Sequence, residues 1–344
     1  MEGRGYALDK DKEEIVKEIL KNSGFKIKKE VYRNFDTVDG EYRLRSLIYL
    51  GKYGGVEAIL KVHGAKNAAD DAREIRNFEN QNKSETIRAP KVYRYQRWKD
   101  NAGYGFTIFE YIDAAEITSR PFPTAEQLRD FARFYQEYKT KAVTKPWKKP
   151  DGRCTTLSIL KSVDAWYENA EAKKRLKFED YAPYVIRFYS LALKYAESIP
   201  TEFMHMHLYP EHIRKQSDGR YVILDHMSWG WRLQWADLSY MVWRTMLDIR
   251  DNKYSFGQLL DYVNRWVSAF ERIPLVRKDR DFEKKLTFLL LERSIGIILG
   301  DLGSGRFWGT PRGKKYFKHK LYLQQRLFDH LADRLEGKWQ MAHT

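Results

Sequence analysis

Four of the eight histidines in the 344-residue chain fall within one stretch, "FMHMHLYPEHIRKQSDGRYVILDHMSWG", from Phe203 to Gly230. Two chemistries suit such a run. The first is metal ligation, in which His205, His207 and His212 form an H-x-H-x₄-H set with Asp225 as a further ligand. If the segment is extended, alternation puts His205 and His207 on the same side, as joint zinc ligation requires. The second is proton transfer, because imidazole titrates near pH 6.5 and is the commonest general base. Packed, hydrogen-bonded histidines without chemistry are a third possibility.

Elsewhere, Lys61 stands in "EAILKV", and Glu74 follows it thirteen residues later in "AADDAREIRNFENQN". A lysine on a strand with a carboxylate on the next helix can direct an ammonium at the phosphates of a nucleotide. Glu79 is the other acid placed to serve as its partner. The same pattern also describes an ordinary exposed edge-strand lysine.

These residues need elements to hold them. Ile15, Val16, Ile19 and Leu20 recur at helical spacing before Gly24, which predicts a helix from Lys12 to Asn22. Three runs rich in β-branched and aromatic residues follow, "FKIKKEVYR", "EYRLRSLIYL" and "VEAILKV". They predict a three-stranded meander. Ile75 and Phe78 mark a second helix, and "APKVYRYQRWKDNAGYGFTIFEYI" predicts two more strands turning at Asn101 to Gly103. Beyond Ile112 the periodicity is helical, interrupted by the histidine stretch and "GRYVILDHM". The expected class is α+β: an antiparallel five-stranded sheet with helix over residues 1–112, then a mostly helical lobe over 113–344.

With 43% hydrophobic and 15% aromatic residues the chain has enough apolar surface to fold as a globular protein. The longest apolar run, "LTFLLLERSIGIILG", is interrupted by Glu292 and Arg293 and is too short to span a bilayer. A charged N-terminus and a lone Cys154 suit a reducing cytoplasm. The net charge of +15 favours anionic ligands. The basic run "KTKAVTKPWKKPDGR", Lys139 to Arg153, has six cations around two prolines and reads as an exposed loop, with no nucleic-acid recognition motif beside it.

Together the order of elements, "EAILKV", "APKVYRY", "FTIFEYI" and the histidine stretch resemble the aminoglycoside phosphotransferase and choline kinase-like family, a branch of the protein-kinase-like fold. Where that family reads approximately H-G-D-L-H-P-G-N-I, then I-D-W or I-D-F, then D-L, this chain reads "HMHLYPEHI", "VILDHM" and "WADLSY". The resemblance implies that His205 matches the leading His, and that His207 stands at the catalytic Asp. It puts His212 at the metal-binding Asn and keeps Asp225 as the metal-binding Asp, with Asp237 steadying the loop. It further implies that Lys61 and Glu74 hold ATP, or GTP in its place, and that Glu110 to Ile112 form the hinge against the base. Mg²⁺ is the implied metal, with Mn²⁺ or Zn²⁺ favoured by an imidazole at position 212.

The function expected is therefore transfer of a γ-phosphate to a hydroxyl of a small molecule. A pseudokinase that binds nucleotide or a protein partner is the first alternative, and a His-rich zinc protein the second. The resemblance also implies acidic residues in the helical half for cationic acceptors, and Glu292 and Asp301 are candidates. Gly40 is the single glycine in the turn "NFDTVDGEYR", where protein kinases use a glycine-rich loop. Trp229, Trp231, Trp235 and Trp243 read as packing between helices.

Overall fold

The computed structural model describes residues 7–8, 12–38, 41–64, 70–99, 103–150, 152, 155–172, 178–248, 254–304 and 311–338. Gly40 lies outside them, as does the side chain of Asp301. The strands are β1 (Ala7–Leu8), β2 (Lys26–Val38), β3 (Glu41–Tyr53), β4 (Val56–His63), β5 (Ile87–Arg88), β6 (Val92–Lys99), β7 (Tyr104–Glu110), β8 (Ala115–Glu116), β9 (Thr201–His205), β10 (Ile213–Lys215), β11 (Tyr221–Ile223) and β12 (Trp229–Leu233). The α-helices are α1 (Lys12–Ser23), α2 (Asp71–Gln81), α3 (Ala125–Glu137), α4 (Thr156–Ala172), α5 (Phe178–Tyr195), α6 (Ala236–Asp248), α7 (Phe256–Phe270), α8 (Pro274–Arg277), α9 (Phe282–Ser304) and α10 (Pro311–Leu335).

Contacts divide the chain into two units, and the division is not a single cut near Ile112. The first comprises residues 1–115, 141–145 and 212–228, and the second 116–140, 146–211 and 229–344. The hairpin within the histidine stretch thus joins the sheet unit. Within that unit the five expected strands are present in the order β2-β3-β4-β7-β6, all antiparallel, with the short β1 added beside β3. Gly54 and Gly55, at φ 58° and 88°, turn β3 into β4 in two residues. That is the primed-turn geometry which matches strand twist and which side chains with a Cβ resist. Gly51 instead permits close approach, since a Cβ there would lie 2.1 Å from the Lys26 carbonyl oxygen and 2.6 Å from the Phe25 ring.

Alternation along β4 decides what faces what. Ala58, Leu60 and Val62 enter a core with Ile15, Val16 and Ile19 of α1 and with Phe106 and Ile108 of β7. Lys61 and His63 therefore emerge on the opposite face. In the same unit β11 pairs parallel with β5 and antiparallel with β10, Tyr221 lying opposite Ile87 and Ile213 opposite Ile223.

The second unit is helical. Its α9 packs against α4, α5, α6 and α10, and α3 packs against α7. The antiparallel pair β9 and β12 lies within it, His205 opposite Trp229. Trp229 and Trp235 are buried there, consistent with packing. Among the described residues no helix is long and apolar enough to cross a membrane.

Candidate functional site

Lys61 is the centre of the first unit's charged cluster. It is 7% exposed, and its ammonium lies 2.6 Å from Asp71 Oδ2 and 3.8 Å from Asp225 Oδ1. Burial works to lower the lysine pKa, but the two carboxylates outweigh it and the pKa is raised, so Lys61 is a cation. Asp71 also accepts the Met227 N–H through Oδ1 at 3.1 Å, while Met227 Sδ lies 3.2 Å from the ammonium. A buried ammonium with carboxylates on two sides is the arrangement that keeps such a charge stable away from water.

The partner on the helix is therefore Asp71 and not Glu74. Asp70 caps α2, its Oδ1 accepting the Arg73 N–H at 3.0 Å, so Asp71 is the first helical residue. Glu74, one turn along and 1% exposed, meets the Arg73 guanidinium at 3.2 Å. Glu79 is exposed.

Asp225 reaches the cluster through an unusual backbone. After β11 the Leu224 N–H bonds to the His212 carbonyl at 2.8 Å, and Asp225 itself sits at φ 58°. This left-handed conformation is uncommon for a residue with a Cβ, though Asp tolerates it better than most. Ser228 Oγ donates to Asp225 Oδ2 at 3.1 Å and the Ser228 N–H bonds to the Asp225 carbonyl, fixing the turn. Asp225 remains 22% exposed, whereas both Asp71 oxygens are committed.

Two histidines border the cluster. His226 packs on Phe78, ring centroids 5.0 Å apart, and its Nε2 donates to the Ile223 carbonyl at 2.8 Å. His63 bonds Thr107 through Nε2 at 3.2 Å. Burial pushes both pKa values down to about 4, so both rings are neutral at pH 7. At the proposed hinge, Glu110 takes a forked pair of bonds from Arg88 at 2.6 and 2.8 Å, and its N–H bonds to the Lys91 carbonyl. Its carboxylate and N–H are thus spent inside the unit, and Ile112, half-buried, follows it.

In the second unit the histidine stretch separates into different environments. His205 ends β9, fully buried, with its ring edge-on to Trp229 at 5.0 Å and its N–H donated to Tyr138 Oη at 2.9 Å. His207 is exposed, stacked on Tyr209 at 5.5 Å and edge-on to Tyr240 at 5.9 Å. The same unit holds a largely buried charged network. Lys139 is 2.7 Å from Glu202 and 3.5 Å from Asp237, and Tyr135 Oη donates to Asp237 Oδ1 at 2.7 Å. The Lys139 side chain is only 4% exposed, so the basic run does not begin as an exposed loop.

The zinc set does not assemble. Because β9 stops at His205, the extended alternation that would align His207 with it is lost. Among the described residues no group of three or more His, Cys, Asp or Glu gathers to hold a metal ion.

Comparison with solved structures gives extensive matches. A thermostable mutant of aminoglycoside phosphotransferase APH(4)-Ia, in ternary complex with ADP and hygromycin B, superposes with a TM-score of 0.59 at 12% identity, covering 92% of this chain and 97% of that one. Amicoumacin kinase hAmiN, in complex with AMP-PNP, Ca²⁺ and Ami, gives 0.58 at 12% identity over 93% and 96%. Choline kinase from Cryptosporidium parvum Iowa II gives 0.55 at 15% identity over 96% and 99%. The chain has the protein-kinase-like fold of the aminoglycoside phosphotransferases and choline kinases. No protein-family model matches the sequence, and no curated protein matches it.

On this kinase-like fold, the residues missed by sequence reasoning are Asp71, Lys139 and Glu202. Asp71 carried a readable signal, since in "AADDAREI" one Asp caps the helix and the next must enter its first turn. Lys139 carried none: within a run of cations nothing marks the one that is buried.

Proposed function

We propose that this kinase-like chain is an ATP-dependent phosphotransferase acting on a hydroxyl of a small molecule. One observation carries the reading: a lysine on β4, buried and cationic, held 2.6 Å from Asp71 and 3.8 Å from Asp225, in a chain whose fold is that of small-molecule kinases. In this reading Lys61 directs its ammonium at the nucleotide phosphates. Asp225, with its carboxylate partly exposed, would hold a divalent cation.

The donor set suits Mg²⁺ or Mn²⁺, which are bound through one or two carboxylates with phosphates and water, better than zinc, which needs three or four protein ligands. His212, whose carbonyl supports the Asp225 turn, contributes to this end through backbone. Bound metal would neutralise phosphate charge. In the transfer the acceptor oxygen bonds to the γ-phosphorus, the bond to the β,γ-bridging oxygen breaks, and ADP leaves. His207 is the proposed acceptor of the hydroxyl proton, a role worth about 10² to 10⁴ in rate for a general base.

ATP consumption with Mg²⁺ or Mn²⁺, measured against a panel of small alcohols, tests this. Lys61→Ala and Asp225→Ala should abolish turnover, and His207→Asp should raise it if the remaining machinery is that of a kinase. Nucleotide binding without metal-dependent turnover on any acceptor would favour a pseudokinase instead.

A further inference from the structure

The helical unit contains a cavity of about 180 Å³ walled by α4, β12, α6 and α9. Its lining includes Ser162, Trp166, Arg232, Tyr240, Glu292 and Arg293. Tyr240 ties it to the histidine stretch, because the same ring that lines the cavity packs edge-on against His207 at 5.9 Å and against Tyr209 at 5.6 Å.

Charge is the informative property of this wall. Glu292, one of the two candidate acids for a cationic acceptor, meets the Arg293 guanidinium at 3.3 Å. Arg293 is 13% exposed, lies over the Tyr240 ring at 4.4 Å, and leaves its Nε buried without a hydrogen-bond acceptor. Arg232 adds a second guanidinium, so the cavity carries net positive charge: two arginines against one glutamate.

Size is the second constraint. At roughly 30 Å³ per water the space corresponds to about six waters, the volume of a few-carbon metabolite. Trp166 and Tyr240 give the wall aromatic faces. A Cβ on Gly296 would lie 3.0 Å from the Trp166 ring, so the glycine in α9 lets the indole lie against the helix beside the cavity.

We propose that this cavity binds the acceptor, and that the acceptor is a small alcohol carrying an oxyanion, a carboxylate or a phosphate ester, held by Arg232 and Arg293 with its body against Trp166 and Tyr240. That the ligand is the acceptor rests on the phosphotransferase reading; its chemical class rests on the cavity alone. The shared chemistry is a forked guanidinium–oxyanion contact, which either group satisfies.

The test is direct binding to the full chain without nucleotide, by calorimetry and ligand-observed NMR. The probes are glycerate, glycerol 3-phosphate, glycerol and ethanolamine. Glycerate or glycerol 3-phosphate should bind at least tenfold tighter than glycerol, with ethanolamine weaker still, and the stronger of the two identifies the oxyanion. Arg232→Gln should weaken that binding tenfold or more, and Ser162→Phe, which fills the space from α4, should remove it. Both residues line the cavity, and circular dichroism verifies that the variants fold. Ethanolamine binding more tightly than the anions, or anion binding unchanged in both variants, overturns the proposal, as does the absence of binding by all four probes. Oxyanion binding that depends on Arg232 in a chain that never consumes ATP would uphold the cavity's ligand class and overturn the phosphotransferase reading instead.

Discussion

The pairing of Lys61 with Asp71 can be measured by double-mutant cycles, using Lys61→Met with Asp71→Asn and, for comparison, Lys61→Met with Glu74→Gln. At an effective dielectric near 20, unit charges 2.6 Å apart attract by about 6 kcal/mol, and those 3.8 Å apart by about 4 kcal/mol. Desolvation cancels a large share of each, and breaking one side of a buried pair costs about 3–5 kcal/mol. Asp71→Asn preserves shape and leaves Oδ1 able to accept the Met227 N–H, so its effect isolates charge. A coupling of about 3 kcal/mol is expected for Lys61 with Asp71, and under about 1 kcal/mol for Lys61 with Glu74, which meets Arg73. Urea unfolding followed by circular dichroism and intrinsic fluorescence reads both cycles. For an m-value of ~2 kcal/mol/M the larger coupling is a midpoint difference of roughly 1.5 M. A Lys61–Glu74 coupling equal to or above that of Lys61–Asp71 would refute the assignment.

Acid should destabilise the sheet unit. His63 and His226 have pKa values lowered to about 4 by burial, so between pH 6.5 and 4 the unfolded chain binds protons that the folded chain refuses. Stability then falls as pH drops through that window, by roughly 1.4 kcal/mol per histidine at pH 5.5, and a His63→Phe variant should show a flatter profile in urea titrations. Replacing Lys139 by Met leaves the buried Asp237 and the partly exposed Glu202 without their cation and should cost about 3 kcal/mol by the same denaturation measurement. Protein purified without added metal should contain less than 0.1 equivalent of zinc by elemental analysis, on the order expected for sites lacking three ligands, and EDTA should leave its melting temperature unchanged.

Much of the sheet unit was legible because strand chemistry is local. Alternation in "EAILKV" already separates Ala58, Leu60 and Val62 from Lys61, and the two glycines before Val56 announce the hairpin. Asp225 was legible as a motif, but its approach to Lys61 depends on a left-handed turn and a strand pairing across more than a hundred residues, neither of which leaves a periodic trace. The histidines were misleading for the opposite reason. Their enrichment is real, yet His205 faces Trp229 in the core and His207 the surface, a difference set by where β9 ends. Glu292 likewise was a candidate for a cationic acceptor, and only the fold shows the Arg293 guanidinium 3.3 Å from it.

The parallel pairing of Ile87 with Tyr221 has a consequence for biosynthesis. Closing a loop of 134 residues, from 87 to 221, costs about 4 kcal/mol of chain entropy, and the strand that closes it leaves the ribosome long after its partner. The sheet's hydrophobic side can collapse early around α1. Its polar side cannot be completed until Asp225 has been translated, so that the two-thirds-made chain is where holding factors and proteases would find an unfinished surface.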